Sequence, residues 1–410
     1  MKIDPAPATT SAMTRLSSTN QICWDVTTPS AIYIEKELLA KLGFLETLTA
    51  ASCCRVLYSI KACSLTAVLN TVAPVVHGFA TSSVFEARLA RQIVGENGEV
   101  HFASPCLKGS QIRSLGRLVD RMSFNSIGQL RAHSRELSRC VKVGLRLNPR
   151  LSFVADSRYD PCREHSHLGV TVDQVGKMLE RGDRELGEVS GIHFHNNCEA
   201  IDWTPLLETV ESLCARLEPL LKQVEWINLG GGYTWDKHTD FGPLRRAIEL
   251  LTTNYGLEVF LEPGDGIVNS AGYLVASVID LFDSEGKTVA VLDTTVNHLP
   301  EVFEYQYEPD VAGHVDDGPH KYILAGCSCL AGDVFGDYAF EEPLEIGSRI
   351  TFENAGAYSL VKANMFNGIN LPSIYIQRED GELELIREFT YEDYLARCGG
   401  EAHAAARAGV

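Results

Sequence analysis

A parallel (β/α)₈ barrel followed by an all-β domain is the fold class that this chain predicts, and three observations predict it. Eight short apolar stretches recur between residues 55 and 264. Amphipathic stretches of helical period, such as VDQVGKMLERG and TPLLETVESLCARLEPLL, lie between them. After Gly266 the texture changes to β-rich segments broken by turn residues. Strands alternating with helices indicate a parallel sheet covered by helices. A doubly wound sheet is the alternative. Polar residues recur at nearly every strand end, as the rim of a barrel would require.

In chain order, PSAIYIEKELL is expected to pair as a strand with the β-domain before the chain enters the barrel. The barrel strands are RVLYSI (55–60), VHGFAT (76–81), VHFAS (100–104), RMSFNS (121–126), KVGLRLN (142–148), GIHFH (191–195), WINLGG (226–231) and VFLEPG (259–264). After the first of these, Ser64 reads as an N-cap, with Leu65, Val68 and Leu69 on one helical face. The β-domain segments are YLVASVIDLFDS, KTVAVLDTTV, KYILAGCSC, SRITFENAGAY and PSIYIQRED. The expected division is a disordered leader over 1–20, a barrel over 35–266, a β-domain over 267–385 joined by 21–34, and a tail over 386–410. The leader is Ser/Thr/Ala/Pro-rich and lacks the apolar core of a signal peptide.

A chain of 410 residues is long enough for two or three domains. Its formal charge, 36 − 54 = −18, argues against nucleic acid or an anionic membrane surface as partner and favours a cationic substrate. No apolar run reaches the roughly 18 residues of a membrane span. Twelve cysteines stand at irregular positions with no Cys-x-x-Cys, so a zinc ribbon is not expected. Without a signal peptide, reduced thiols in a cytoplasm follow.

Lys61 falls in the joint between the first barrel strand and its helix. It is either a surface lysine on a turn or an amine at the mouth of a pocket. Four further groups stand out. His193 and His195 in GIHFHNNC share one face of a strand at period two. His193 also reads as a core histidine, and His-x-His on a barrel strand also opens metal-dependent amidohydrolase sites. Gly230, Gly231 and Gly232 free backbone N–H groups for an anion, or form a plain turn. Glu262 is a carboxylate closing an apolar strand, which needs a cationic or protonated partner. GCSCLAGD and ENAGAYS lie in the β-domain. One cofactor gives these groups complementary roles. Pyridoxal 5'-phosphate needs a lysine for its Schiff base, donors for its phosphate, a flat group against its ring and a partner for its pyridine nitrogen.

The order of these groups and the two-domain layout resemble the fold-type III pyridoxal-phosphate decarboxylases, relatives of ornithine and diaminopimelate decarboxylase with an alanine-racemase-like barrel, over about residues 28 to 375. SSVFEARLA, GLRLNP, HFHNNCE, INLGGGY, LEPGD, GCSCLAGDVFGDY and VKANMFNGINLPSI are most similar to the carboxynorspermidine/carboxyspermidine branch. The resemblance implies Lys61 as the Schiff-base lysine, His195 as the histidine stacked on the ring, and Gly230 to Gly232 as the phosphate-binding run. It implies Glu262 at the pyridine nitrogen, Tyr358 on the phosphate, and Cys329 as a catalytic cysteine inserted by the partner subunit of a homodimer with shared sites.

The implied reaction is loss of CO₂ from an external aldimine of a carboxylated polyamine, through a quinonoid, with the Glu262 carboxylate keeping the ring protonated as an electron sink. Other basic or diamino acids are the alternative substrates, and a catalytically inactive homologue is a further reading. Asp293, His298, Glu301, Glu304 and Asp333 are the expected substrate residues, because only anions or acceptors hold distal ammonium groups. Asp333 also reads as a turn cap. The chain departs from ornithine decarboxylase at Asp265, which stands where that enzyme carries an arginine after Glu-Pro-Gly; the carboxynorspermidine branch also carries an acid there. It departs from the branch itself at Glu308, which replaces an arginine.

Overall fold

The computed structural model describes residues 24–52, 54–137, 140–235 and 239–400. The expected leader, and residues 401–410 of the expected tail, lie outside the described residues. Strand β1 (Ser30–Ile34) comes first. The barrel strands are β2 (Arg55–Ser59), β3 (Gly78–Thr81), β4 (Glu99–Ser104), β5 (Arg121–Phe124) and β6 (Lys142–Asn148). After the two-residue β7 (Val170–Thr171) come β8 (Gly191–His193), β9 (Trp226–Asn228) and β10 (Glu258–Leu261).

The eight long-range partners β2, β3, β4, β5, β6, β8, β9 and β10 pair in parallel in that order, and β10 returns to β2 to close the barrel. Three of the connecting helices start on hydroxyl caps. Ser83 accepts the N–H of Glu86, Ser126 that of Gln129 and Thr171 that of Gln174.

Two features close the lower end of the barrel, where the strands begin. Leu57, Ala80, Trp226 and Phe260 form an apolar plug. Trp226 fits because Gly144 and Gly191 face it; a Cβ at either would strike its indole ring. Beneath the plug, Arg55 and Arg121 both pair with Glu99 and Glu258 at the starts of their strands. The Arg121 guanidinium also lies 4.6 Å from the centroid of Phe260. Four charges are tolerated there because each has opposite charge on both sides.

The second sheet contains β11 (Gly272–Ser284), β12 (Lys287–Leu292), β13 (His320–Ala325), β14 (Val334–Phe340), β15 (Arg349–Phe352), β16 (Ser373–Gln377) and β17 (Leu383–Arg387). Its order is β14-β13-β12-β11-β1-β16-β17, with β15 on β11. The N-terminal β1 is thus an interior strand of this sheet, antiparallel to β11 and parallel to β16.

Two local expectations need correction. Ser64 is not the helix cap. The chain first turns through Ala62, whose N–H donates to Ser59 O, so the helix Thr66–Val72 begins later with Leu65 at its N-cap. Leu65, Val68 and Leu69 are buried together as their spacing suggests. The segment from 386 is not simply a tail. Strand β17 reaches Arg387, and the helix Tyr391–Arg397 follows with a capping box between Thr390 and Asp393.

Candidate active site

All eight barrel strands run in one direction, so residues just past their C-terminal ends gather at one rim. Lys61 lies two residues past β2, His195 two past β8, Gly230 two past β9 and Glu262 one past β10. A recess there is lined by Lys61, Arg146, His193, His195 and Glu262, with Ser59 and Thr81 beside them. The backbone fastens its edges together. Ser59 N–H donates to Pro263 O (2.9 Å), and Glu262 N–H donates to Gly230 O (2.7 Å).

Lys61 meets solvent through the recess. Its pKa is nonetheless lowered, chiefly by desolvation among the rim residues, with Glu262 acting in the opposite direction. Burial alone would raise the Glu262 pKa. The neighbouring His193, His101 and Lys61 outweigh that and bring it to about 2. His193 Nε2 stands 3.5 Å from one carboxylate oxygen, and Asn228 Nδ2 donates to the other at 2.6 Å. Glu262 is therefore an anion held from both sides.

His195 accepts the N–H of Gly231 at Nδ1 (3.1 Å), so its neutral form carries the proton on Nε2. Desolvation first, then Lys61 and Arg146, holds its pKa well below the usual histidine value, and the ring is uncharged at neutral pH. The glycine turn is imposed by close packing. Gly230 and Gly232 have φ of +74° and +88°. Side chains at Gly230, Gly231 and Gly232 would strike the carbonyl oxygens of Phe194, Glu262 and Asn197 in turn. The Gly230 N–H goes to Asn228 Oδ1 and the Gly231 N–H to His195. Among the described residues the Gly232 N–H has no partner.

A second cavity of about 490 Å³ adjoins this rim. Its wall includes Cys198 and Asp265, three residues beyond His195 and Glu262, and Tyr358, whose N–H donates to Ala62 O at 2.8 Å. It is strongly acidic. Glu199, Asp265 and Glu301 line it together. Desolvation and Glu301 raise the Glu199 pKa, while desolvation, Glu199 and Glu301 push that of Asp265 up to about 7. Burial pushes the Tyr358 phenol well above the usual tyrosine value. Glu301 alone of these three acids has a cation: Lys362 Nζ binds it at 2.9 Å and Glu304 at 2.6 Å.

The structure thus gathers Lys61, His195 and Glu262 at one recess, with the glycine run beside it bonded to His195 and Glu262, and Glu301 and Tyr358 at the adjoining cavity. The remaining sequence-predicted residues line neither. Asp293 accepts from Thr28 Oγ1 (2.5 Å) and Ser277 N–H (2.8 Å). Asp333 is buried and accepts the N–H groups of Val296 and Ser328, which shapes the loop carrying Cys329. His298 is buried against Thr294, and desolvation lowers its pKa to about 4. Glu304 is on the outer side of Lys362. Cys329 is exposed, its N–H bonded to Asn367. Glu308, the departure noted above, accepts the N–H of Asp337 and packs over Gly336.

Arg146, Asn228, Glu199 and Asp265 were not among the expected site residues. Arg146 and Asn228 left a signal, a polar residue inside an apolar strand, in GLRLN and WIN. The two histidines diverge, His193 to Glu262 and His195 to the glycine turn. Among the described residues no three His, Cys, Asp or Glu gather as a metal would need.

The family model described as pyridoxal-dependent decarboxylase, pyridoxal binding domain, matches residues 43–269. The chain belongs to the pyridoxal-dependent decarboxylases. A carboxyaminopropylagmatine decarboxylase from Synechocystis sp. is 35% identical over 90% of this chain and 96% of its own. A carboxynorspermidine/carboxyspermidine decarboxylase from Campylobacter jejuni is 31% identical over 91% and 98%. The crystal structure of carboxynorspermidine decarboxylase from Campylobacter jejuni, complexed with norspermidine, superposes with a TM-score of 0.81 at 30% identity, covering 91% of this chain and all of that one. Diaminopimelate decarboxylase from Helicobacter pylori, at 19% identity and a TM-score of 0.79, shares the fold.

A pyridoxal-dependent decarboxylase uses pyridoxal phosphate, and the recess fits that group. It offers an amine with lowered pKa, an anionic carboxylate, a neutral flat ring and the buried Arg146 guanidinium, with the Gly232 N–H in the glycine turn beside it.

Proposed function

We propose that this pyridoxal-dependent decarboxylase removes the carboxylate of a carboxylated polyamine, of the carboxynorspermidine, carboxyspermidine or carboxyaminopropylagmatine kind. The observation that carries this reading is the pair Glu199 and Asp265, two acids with no ion-pair partner among the described residues, in a cavity adjoining the recess whose Arg158 is paired with Asp156. Such a pair is stabilised by a bound cation, and a polyamine chain delivers one at a distance from its reacting carbon.

Bound pyridoxal phosphate supplies an electron sink for the bond that breaks. Lys61 would anchor it through Nζ, and the desolvation that lowers its pKa favours the free amine. Glu262, an anion held by His193 and Asn228, would face the ring nitrogen and favour a proton there. The neutral His195 ring would lie against one face of the group. The Gly232 N–H, the Tyr358 hydroxyl and Arg146 suit anionic oxygens. Glu199 and Asp265 hold the distal ammonium and so orient the carboxylate away from these acids. Cys329 Sγ delivers the proton that replaces CO₂.

The proposed division is a cofactor-binding barrel over 35–266 and a β-domain over 267–385 with 21–34, which supplies the cavity's outer wall. Cys329 is exposed and lines neither cavity of its own chain, which supports a homodimer in which it completes the partner's site. The free thiols of Cys198, Cys327 and Cys329 suit the cytoplasm. No helix among the described residues is long and apolar enough to cross a membrane.

The test is CO₂ release from carboxynorspermidine, carboxyspermidine and carboxyaminopropylagmatine beside ornithine, lysine and diaminopimelate. A kcat/KM higher for one of the first three supports the reading; preference for a short diamino acid overturns the substrate class.

A further inference from the structure

Asn228, the last residue of β9, is 1% exposed and fully engaged. Its Oδ1 accepts the Gly230 N–H at 2.9 Å, and its Nδ2 donates to Glu262 Oε1 at 2.6 Å. The same Nδ2 lies 3.5 Å from His101 Nδ1. The amide has one possible orientation. Turned over, its oxygen would face a carboxylate oxygen and its NH₂ would face the Gly230 N–H. Asn228 therefore only donates to Glu262, and that oxygen of Glu262 only accepts.

His101 continues the contact downward. It is 4% exposed, packs 4.6 Å from the Phe260 ring centroid, and reaches Glu99 through Nε2 at 3.0 Å. With Nε2 donating, Nδ1 is left as an acceptor for the second N–H of Asn228. Glu99 is clamped by Arg55 and Arg121. A column of polar contacts thus runs from the rim carboxylate to the charged floor. An amide does not relay protons between its two ends, so the column fixes orientation and charge.

We propose that Asn228 is a positioning residue that ties the ring-nitrogen carboxylate, Glu262, to the glycine turn, and that His101 braces it against the barrel floor. This rests on the proposed role of Glu262 and goes beyond it. A site assembled from four separate strands keeps two of its groups in register through one side chain.

The discriminating variant is Asn228→Asp, which preserves shape. Two carboxyl groups at 2.6 Å do not both ionise, so they share a proton at the acid end of the pH range. There the introduced carboxyl donates as the amide did, and kcat stays close to that of the unmodified enzyme. As pH rises and the shared proton leaves, kcat falls about tenfold or more with little change in KM. The melting temperature of the apoprotein falls over the same range. The unmodified enzyme shows no such fall in kcat, and its melting temperature declines less over that range. Parallel pH profiles for the two proteins, or a constant offset between them, overturn the proposal.

Should Asn228→Asp fail to fold at any pH, His101→Leu is the second variant. With native circular dichroism, its Kd for pyridoxal phosphate should rise about threefold or more; an unchanged Kd overturns the bracing role and the proposal with it. Glu262→Gln separates this inference from the reading beneath it. Full activity in Glu262→Gln removes the role of Glu262 itself. Inactivity there, with parallel profiles for Asn228→Asp, removes only that of Asn228.

Discussion

Lys362 Nζ stands 2.9 Å from Glu301 Oε1 and lies over the rings of Tyr305 and Tyr358, at 5.4 and 5.7 Å from their centroids. The protein thus supplies its own ammonium to one wall of the acidic cavity. Lys362→Met should expose Glu301 and lower KM for a cationic substrate, whereas Glu301→Gln should raise it. A charge-assisted bond is worth about 1.5–3 kcal/mol, or roughly ten- to a hundredfold. Steady-state kinetics at low and high salt measure both, and the difference should shrink with salt. An unchanged KM in both variants would place recognition elsewhere.

Asp265 gives the enzyme a pH dependence. Its pKa is raised from 3.8 to about 7 in the folded chain, so the folded form keeps a proton that the unfolded chain has released. Stability from this group is therefore intact below about pH 4 and lost as pH rises toward 7. Asp265→Asn should melt a few degrees higher than the parent apoprotein at pH 8, at roughly 2 °C or more per kcal/mol, and at the same temperature near pH 4. Binding of a cation needs the ionised form, so KM should rise as pH drops below about 7, and Asp265→Asn should flatten that rise. Equal melting temperatures at both pH values would contradict the assignment.

Lys61→Ala should remove the absorbance of the bound cofactor and nearly all activity. Borohydride reduction followed by digestion of the parent enzyme should yield one pyridoxyl-labelled peptide, containing Lys61. A label on another lysine refutes the anchor.

Mixing Lys61→Ala with Cys329→Ala subunits tests the shared site. A heterodimer of the two contains one site with both residues intact, so activity should return toward a quarter of the parent value for random re-assortment. No recovery after demonstrated subunit exchange would assign Cys329 to its own chain.

The barrel was legible because each strand is an apolar run flanked by polar residues, and the eight runs needed no long-range information. Their ends were less so. GIHFH, WINLGG and VFLEPG read as strands to the last letter, but the ladders stop at His193, Asn228 and Leu261. The residues that face the recess leave the sheet at the rim, where the two-residue period no longer governs direction. Lys61, His195 and Glu262 were found through the company they keep in order. The acids were harder. Asp293 and Asp333 bind backbone N–H groups, and a carboxylate used that way looks the same in sequence as one awaiting a ligand. Glu199, Asp265 and Glu301 meet only because the barrel and the second sheet bring three distant segments to one cavity.

The Trp226 plug and the ion pairs beneath it close the lower end of the barrel, which leaves the acidic rim as the way in among the described residues. Cofactor, substrate, carbon dioxide and amine all pass the same acidic threshold. A product that keeps its positive charges leaves against the pull that drew its precursor in, while the neutral gas does not. For the proposed polyamine product this pull predicts inhibition of the enzyme by that cation as it accumulates, weaker at high salt.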